Sequence, residues 1–144
     1  MKASILHPDC QNLVIKDELG NIIAKSTLYI NRNRGYGVFN NIEINNAKIN
    51  KEYKEFIYIK FIEAINKFIE KYNNKNIDNP LKQINIGMNL NDLNDIIREK
   101  NHKSSIRLIG IDFSDFGKQF QSYRGDWQNE QYVIWRNGKS KKNI

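Results

Sequence analysis

The chain has 144 residues and a mass of 17.0 kDa, which fits one domain with a hydrophobic core of its own. No apolar run approaches the roughly 18 residues that span a bilayer, and the N-terminus lacks a signal-peptide pattern, so we expect no membrane partner. The single cysteine, Cys10, excludes an internal disulfide, and the cytoplasm is the expected location. The formal net charge of +7 favours nucleic acid, an anionic cofactor or an acidic protein surface as partner.

The first third of the chain has the pattern of three successive antiparallel strands. Leu13–Ile15 predicts a short strand, and Gly20 and Asn21 supply the turn chemistry of a hairpin. The return strand is predicted over Ile22–Ile30, where apolar residues alternate. A polar turn over residues 31–35 then leads into another strand-like run, Val38–Ile44.

The most regular pattern in the chain is an amphipathic helix from Phe56 to Tyr72. Apolar residues recur there at i, i+3, i+4 and i+7, which places them on one stripe. The stripe consists of Tyr58, Phe61, Ile62, Ile65, Ile69 and Tyr72. Further apolar residues flank it, and a stripe of that width suits a helix that lies flat on a sheet.

Beyond the long helix the pattern predicts more strands and a second, shorter helix. Gln83–Asn89 alternates as a strand does, and Asn91–Lys100 predicts a helix with Asn91 and Asp92 as its cap. Ile106–Gly110 and Gln131–Arg136 are also strand-like.

The predicted fold class is therefore α/β (α+β), a mixed and largely antiparallel sheet with one long helix and one or two shorter helices packed on it. We expect a single domain over residues 1–138, followed by a basic, flexible tail over residues 139–144.

This order of elements resembles the second half of the fold of the GNAT acetyltransferase superfamily, over roughly residues 12–136. The resemblance implies that the strand before the long helix splays from the next strand and that acetyl-CoA, or another acyl-CoA, lies in the gap. Carried over by position, it implies cofactor-binding residues at the strand ends and the helix start, namely Asn41, Ile42, Ile44, Asn45, Lys51 and Asn89. It also implies Glu43 as a general base toward an amine. The implied activity is acyl transfer from acyl-CoA to an amine on an anionic partner such as aminoacyl-tRNA.

The turn before the long helix departs from the pattern of that family. The family carries Arg or Gln, two residues, Gly, one residue, then Gly or Ala, whereas no glycine stands between Asn45 and Lys54. Glu52 in this turn would repel phosphates. The departure favours an alternative function, a non-catalytic binding module on the same scaffold that recognises nucleic acid or a protein partner.

Two aromatic and basic clusters are candidate surfaces for such a partner. The first consists of Arg32, Arg34 and Tyr36, beside a glycine-flanked strand start that is similar to the RNA-binding octet of the RRM sheet but reverses its fifth and sixth residues. The second is the loop that contains Tyr123, Arg124 and Trp127. In the alternative interpretation, the aromatic rings of this loop only pack against the domain and bind no partner.

A metal site is not expected from the sequence. His7 and Cys10 have a spacing compatible with ligation, but only His102 stands elsewhere as a further nitrogen or sulfur ligand.

Overall fold

The computed structural model describes residues 9–40, 42–44, 50–88, 93–110 and 130–138. The strands within these ranges are β1 (Cys10–Lys16), β2 (Ile22–Asn31), β3 (Tyr36–Phe39), β4 (Glu43–Ile44), β5 (Gln83–Gly87), β6 (His102–Lys103) and β7 (Gln131–Arg136). The helices are α1 (Lys51–Lys75) and α2 (Asn94–Lys100).

The seven strands form one mixed sheet. Its order is β1-β2-β3-β5-β7-β6, and β4 pairs with β2 outside this path. Among the described strands, β3 and β5 form the one parallel pair, since α1 connects them and carries the chain back to the same end of the sheet. The predicted class is confirmed: a mixed α/β fold with a mostly antiparallel sheet, one long helix and a shorter second helix.

α1 packs its apolar stripe on one face of this sheet. Every predicted stripe residue except Ile62 is buried, and Ile62 is partly buried against the same core. Phe61 lies against Phe39 of β3, with ring centroids 5.0 Å apart. Burying a side chain of this size contributes about 1.5–3 kcal/mol, so this stripe is the main attachment of the helix.

α1 is longer at both ends than the stripe predicts. It begins after Asn50, whose side chain accepts a hydrogen bond from the backbone N–H of Tyr53 at 2.8 Å. It ends at Asn76, whose backbone N–H donates to the carbonyl of Tyr72 at 2.9 Å. Capping groups, rather than the apolar spacing, therefore set the ends of the helix.

The predicted hairpin turn between β1 and β2 is confirmed. The Asp17 carboxylate accepts hydrogen bonds from the backbone N–H groups of Leu19 and Asn21, both at 2.9 Å. Hydrogen bonding to the backbone of Asn21 is the main reason why the pKa of Asp17 lies below its ordinary value. Gly20 has a φ of 88°, in the left-handed region that favours glycine.

Residues 104–110, which we call the strap, cover the face of the sheet opposite α1. Successive side chains of β2 point to alternate faces, and Tyr29 lies between two residues of the α1 core, Leu28 and Ile30. Tyr29 is fully buried against the strap residue Gly110. The second face of the sheet is therefore covered as well as the first.

Buried amide side chains hold the strap on the sheet. Gln131 of β7 accepts a hydrogen bond from the backbone N–H of Leu108 at 2.9 Å and donates to its carbonyl at 3.0 Å. Asn85 of β5 donates to Gln131 Oε1 at 2.8 Å and accepts from Gln83 at 2.8 Å. Because these buried polar groups bond to each other and to the strap, they avoid most of the desolvation cost of unpaired amides.

The prediction of a strand over Ile106–Gly110 is wrong. Ile106, which an alternating strand would bury, is exposed. The alternation holds only over the rest of the segment, where Leu108 and Gly110 are buried while Arg107 and Ile109 are exposed. It arises because the segment lies across the face of the sheet and bonds to a glutamine side chain. The neighbouring position beside β7 is occupied by β6, a strand of two residues that the pattern did not predict.

The second helix begins later than predicted. It starts at Asn94 with Leu93 at the N-cap position, where no side chain makes a capping hydrogen bond. Leu93, Ile96 and Ile97 are fully buried, so packing against the core sets the helix start. The predicted caps Asn91 and Asp92 lie outside the described residues, as does the predicted tail over residues 139–144.

We searched the described helices for one long and apolar enough to cross a membrane, and none qualifies.

We expect Gly110→Ala to lower the free energy of unfolding by about 1–3 kcal/mol, because overpacking of a tight contact has that cost. A Cβ at position 110 would overlap with the Cβ and carbonyl oxygen of Tyr29. Gly110 is not among the described glycines with positive φ, so backbone strain does not add to the effect. Urea unfolding measures the change, with Ser105→Ala at an exposed strap position as the control. Equal stability of both variants would show that the strap does not lie on Tyr29.

Candidate functional site

The strand that precedes α1 contains an extra residue. Phe39 stands opposite Leu28, and Glu43 stands opposite Lys25. Two residues of β2, Ser26 and Thr27, are thus matched by three residues, 40–42, on the other strand. This two-against-three count is a β-bulge, a feature that bends a strand and is frequent beside active sites.

At this bulge the strand leaves its parallel neighbour. β3 pairs with β5 from Tyr36 opposite Gln83 to Phe39 opposite Ile86. Beyond the bulge, β4 pairs with β2, and no pairing of β4 with β5 occurs in the described residues, although β5 continues to Gly87. The described pairing of the two strands therefore ends at Phe39 and Ile86, and we call the region between β4 and the end of β5 the gap.

Asn40 fastens the bulge to β2 through both its backbone and its side chain. Its backbone N–H donates to the Thr27 carbonyl at 3.2 Å, and its Oδ1 accepts from the Thr27 N–H at 3.4 Å. The Thr27 hydroxyl in turn donates to Asn12 Oδ1 of β1 at 3.0 Å. These bonds satisfy the backbone groups that the extra residue removes from the regular ladder.

The floor of the gap is apolar and its outer end is charged. Ile42 and Met88, on the two diverging strands, are both buried in the core that α1 and α2 cover. At the outer end, Lys54 Nζ lies 3.7 Å from Asp95 Oδ2, which links the first turns of the two helices. Asp95 is well exposed, so this pair contributes less than about 1 kcal/mol and can exchange partners.

The predicted cofactor residue Lys51 is the first residue of α1. Its Nζ lies 4.0 Å from Glu99 Oε1 of α2, and both side chains are exposed. Asn50 satisfies one of the N–H groups at the start of the helix, and no acceptor for those of Lys51 and Glu52 stands among the described residues, so they can bind an anion. The carboxylate of Glu52, in the same turn, opposes anion binding.

The candidate base Glu43 lies on the exposed side of β4. It stands opposite Lys25, which is also exposed, whereas its neighbour Ile44 stands opposite the buried Ala24. These four residues and Ile22 line a cleft of about 310 Å³. A solvent-accessible carboxylate beside a cleft can accept a proton directly or through a water molecule.

The predicted partner surface on the β2–β3 turn is only partly available. Asp9 Oδ1 accepts hydrogen bonds from Nη2 and Nε of Arg32 at 2.6 and 3.1 Å, which raise the pKa of the Arg32 guanidinium. The Tyr36 hydroxyl accepts from Asn31 Nδ2 at 3.4 Å, and its ring is half-buried. Arg34 is exposed. The three residues thus lie on the same turn, but the Arg32 side chain is engaged in an ion pair with Asp9.

Six of the predicted site residues lie outside the described residues. They are Asn41, Asn45, Asn89, Tyr123, Arg124 and Trp127.

Tyr58 is buried where α1 meets α2. Burial raises the pKa of its phenol above the ordinary value, although a hydrogen bond from Asn101 Nδ2 at 2.8 Å acts in the opposite direction. The phenol oxygen serves here as an acceptor that joins the two helices.

Sequence reasoning missed the bulge and the role of Gln131. A bulge has no reliable signal in a single strand, because it is defined by the residues of the neighbouring strand. Gln131 stood inside a predicted strand, and its bond to the Asn85 side chain of the neighbouring strand has no local signal in the sequence.

The described residues contain no group of three or more His, Cys, Asp or Glu side chains that could hold a metal ion. Neither a scan against protein-family models nor a search of curated proteins finds a match to this chain.

We expect Asn40→Ala to lower the free energy of unfolding by about 1 kcal/mol, because the Thr27 N–H loses its acceptor in a buried position. Asn12→Ala is the matched control: it removes an amide that bonds to the same threonine, but from an exposed position where water can replace it. Urea unfolding of both variants gives the comparison. A smaller loss for Asn40→Ala than for Asn12→Ala would contradict the role of Asn40 in holding the bulge.

Proposed function

We propose that this protein binds acyl-CoA in the gap between β4 and β5 and transfers the acyl group to an amine. The observation that carries the proposal is the divergence of β4 from β5 directly after the bulge. The resemblance to the GNAT superfamily implies a cofactor gap at this point of the chain, between the strand before the long helix and the strand after it.

The gap suits the pantetheine arm of the cofactor. An extended chain with amide groups can hydrogen-bond to the edge of a strand that has no neighbour on that side, as peptides do in strand addition. The buried Ile42 and Met88 provide an apolar floor beneath such a chain. The backbone around Ile42 is then the part of the site that positions the thioester.

The phosphates of the cofactor would lie at the start of α1. The N–H groups of the first turn and the side chains of Lys51 and Lys54 favour an anion there, and Glu52 opposes it. The preceding turn contains no glycine, so its backbone cannot approach the phosphates closely. The two lysines would therefore supply most of the attraction for the phosphates. Cofactor affinity should therefore fall strongly with added salt.

Glu43 is the proposed general base. The amine nitrogen attacks the thioester carbonyl, its proton passes to the Glu43 carboxylate directly or through water, and the carbon–sulfur bond breaks to release the CoA thiolate, which then takes up a proton. The acceptor amine belongs to an anionic partner, a choice supported by the net charge of +7.

Isothermal titration of the purified chain with acetyl-CoA tests the first part of the proposal. We expect micromolar affinity, with a weaker complex for Lys51→Gln combined with Lys54→Gln. Lys67→Gln combined with Lys71→Gln removes the same charge from exposed positions further along α1 and should bind as the wild type does. Absence of binding to the wild type would refute the proposed acyl transfer.

For the chemical step we expect Glu43→Gln to lower the rate of CoA release by about 10²-fold or more, as loss of a general base does, while acetyl-CoA still binds. The assay records free CoA thiol with a panel of primary amines, including aminoacyl-tRNA. Glu18→Gln, an exposed and isosteric change in the β1–β2 turn, controls for the loss of one negative charge. An unchanged rate in Glu43→Gln would remove Glu43 from the mechanism.

A further inference from the structure

A groove runs beside the short strand β6, which is the outermost strand of the described sheet on that side. Its volume is about 330 Å³, and its walls are residues 103–107 together with Glu130 and Gln131. We call it the β6 groove. None of its lining residues belongs to β4 or β5, the strands on either side of the gap.

The surroundings of the β6 groove carry an excess of positive charge. Residues 98–107 contain four basic side chains and one carboxylate, that of Glu99. Glu99 faces Lys51 at 4.0 Å, and Glu130, the only carboxylate among the described residues of the groove wall, faces Arg98 at 3.6 Å. With each of these two carboxylates offset by one cation, the ammonium groups of Lys100 and Lys103 remain in excess among the described residues.

Lys100 and Lys103 are available to a ligand. Both side chains are exposed, and among the described residues no carboxylate lies within 4.0 Å of either ammonium group. They stand at the end of α2 and in β6, so they are close in sequence and fixed by regular structure. Uncompensated ammonium groups in this arrangement attract a polyanion.

The groove also offers a hydroxyl and an apolar surface. The Ser104 hydroxyl is not the group offered to a ligand, because it donates a hydrogen bond to the Ile106 carbonyl at 2.6 Å. Ser105 is exposed and its hydroxyl bonds to no described residue, while the Ile106 side chain is 59% exposed. The groove therefore presents the ammonium group of Lys103 for phosphate, a hydroxyl for sugar and an apolar contact for a base, and Lys100 stands three residues before Lys103 at the end of α2.

The wall of the groove is held in place by buried bonds. The Ser104 N–H donates to the Gln131 carbonyl at 2.8 Å, and the Gln131 side chain holds Leu108 further along the strap. Because these bonds are buried on the inner side of the strap, its outer side is preformed, which reduces the entropy lost when a ligand binds.

We propose that the β6 groove binds the phosphate backbone of single-stranded RNA. Lys103 lies on the outermost described strand of the sheet, and a single strand of RNA can run along such an edge. Ser105 can bond to a ribose 2′-hydroxyl, a group that DNA lacks, and Ile106 can contact an unstacked base. The inference goes beyond acyl transfer and stands without it, because RNA binding requires no cofactor.

Fluorescence anisotropy with a labelled single-stranded RNA of about 12 nucleotides tests the proposal. We expect a micromolar complex whose affinity falls with salt. Lys100→Gln combined with Lys103→Gln should weaken it about tenfold or more and reduce the salt slope, since each lost phosphate contact removes about one unit of that slope. Lys67→Gln combined with Lys71→Gln, the same charge change on α1, should weaken it less than about twofold.

A measurement on the wild-type protein keeps the test independent of how the variants fold. Acetylation of lysines by a chemical reagent, read by mass spectrometry, should show Lys100 and Lys103 protected by RNA and Lys67 and Lys71 unprotected. Equal protection at all four lysines, equal weakening by both double variants, or no RNA binding would overturn the proposal. Binding of duplex DNA or polyglutamate as tightly as RNA would also overturn it, because only general charge would then be recognised.

Discussion

One extra residue between Phe39 and Glu43 changes which strands pair in the middle of this sheet. Before the bulge the strand has neighbours on both sides and belongs to a regular sheet. After it, the strand keeps only β2 as a neighbour in the described residues, and its other edge faces a gap. The proposed cofactor site depends on this change of neighbours, since a regular ladder between β4 and β5 would occupy the backbone groups that a ligand needs.

The rest of the fold supports this local irregularity from both faces of the sheet. On one face, α1 contributes a wide apolar stripe whose burial, at about 1.5–3 kcal/mol for each large side chain, is enough to fix a helix of this length. On the other face, the strap is held by buried amides rather than by a large apolar surface. Apolar burial thus provides most of the stability, while the amide network selects which segment covers the second face.

The two proposed sites use different parts of the chain and different physical effects. The gap between β4 and β5 depends on backbone groups and an apolar floor, with charge only at its outer end. The β6 groove depends on the ammonium groups of Lys100 and Lys103, which have no described carboxylate within 4.0 Å. Their separation means that an acyl acceptor bound through its phosphates and a cofactor bound in the gap would not compete for the same residues.

The sequence alone determined the elements whose pattern is local. The helix stripe from Tyr58 to Tyr72, the β1–β2 turn with Asp17 and Gly20, and the strand β7 were all predictable, because side-chain periodicity and turn chemistry act between near neighbours. Glu43 and Lys51 could be named as candidates only through a family resemblance. Their roles are proposals, since local pattern does not determine chemistry.

Tertiary structure decided the features that depend on residues distant in sequence. The bulge depends on a count against β2, the start of α2 on the burial of Leu93, and the path of the strap on Gln131. Ile106–Gly110 shows the reason most clearly: alternation states that every second residue is buried, but not whether a strand edge or a sheet face buries it. The sequence likewise does not show which charged side chains are paired. Arg32 and Lys103 are both basic, but the fold pairs Arg32 with Asp9 and leaves Lys103 exposed in a groove.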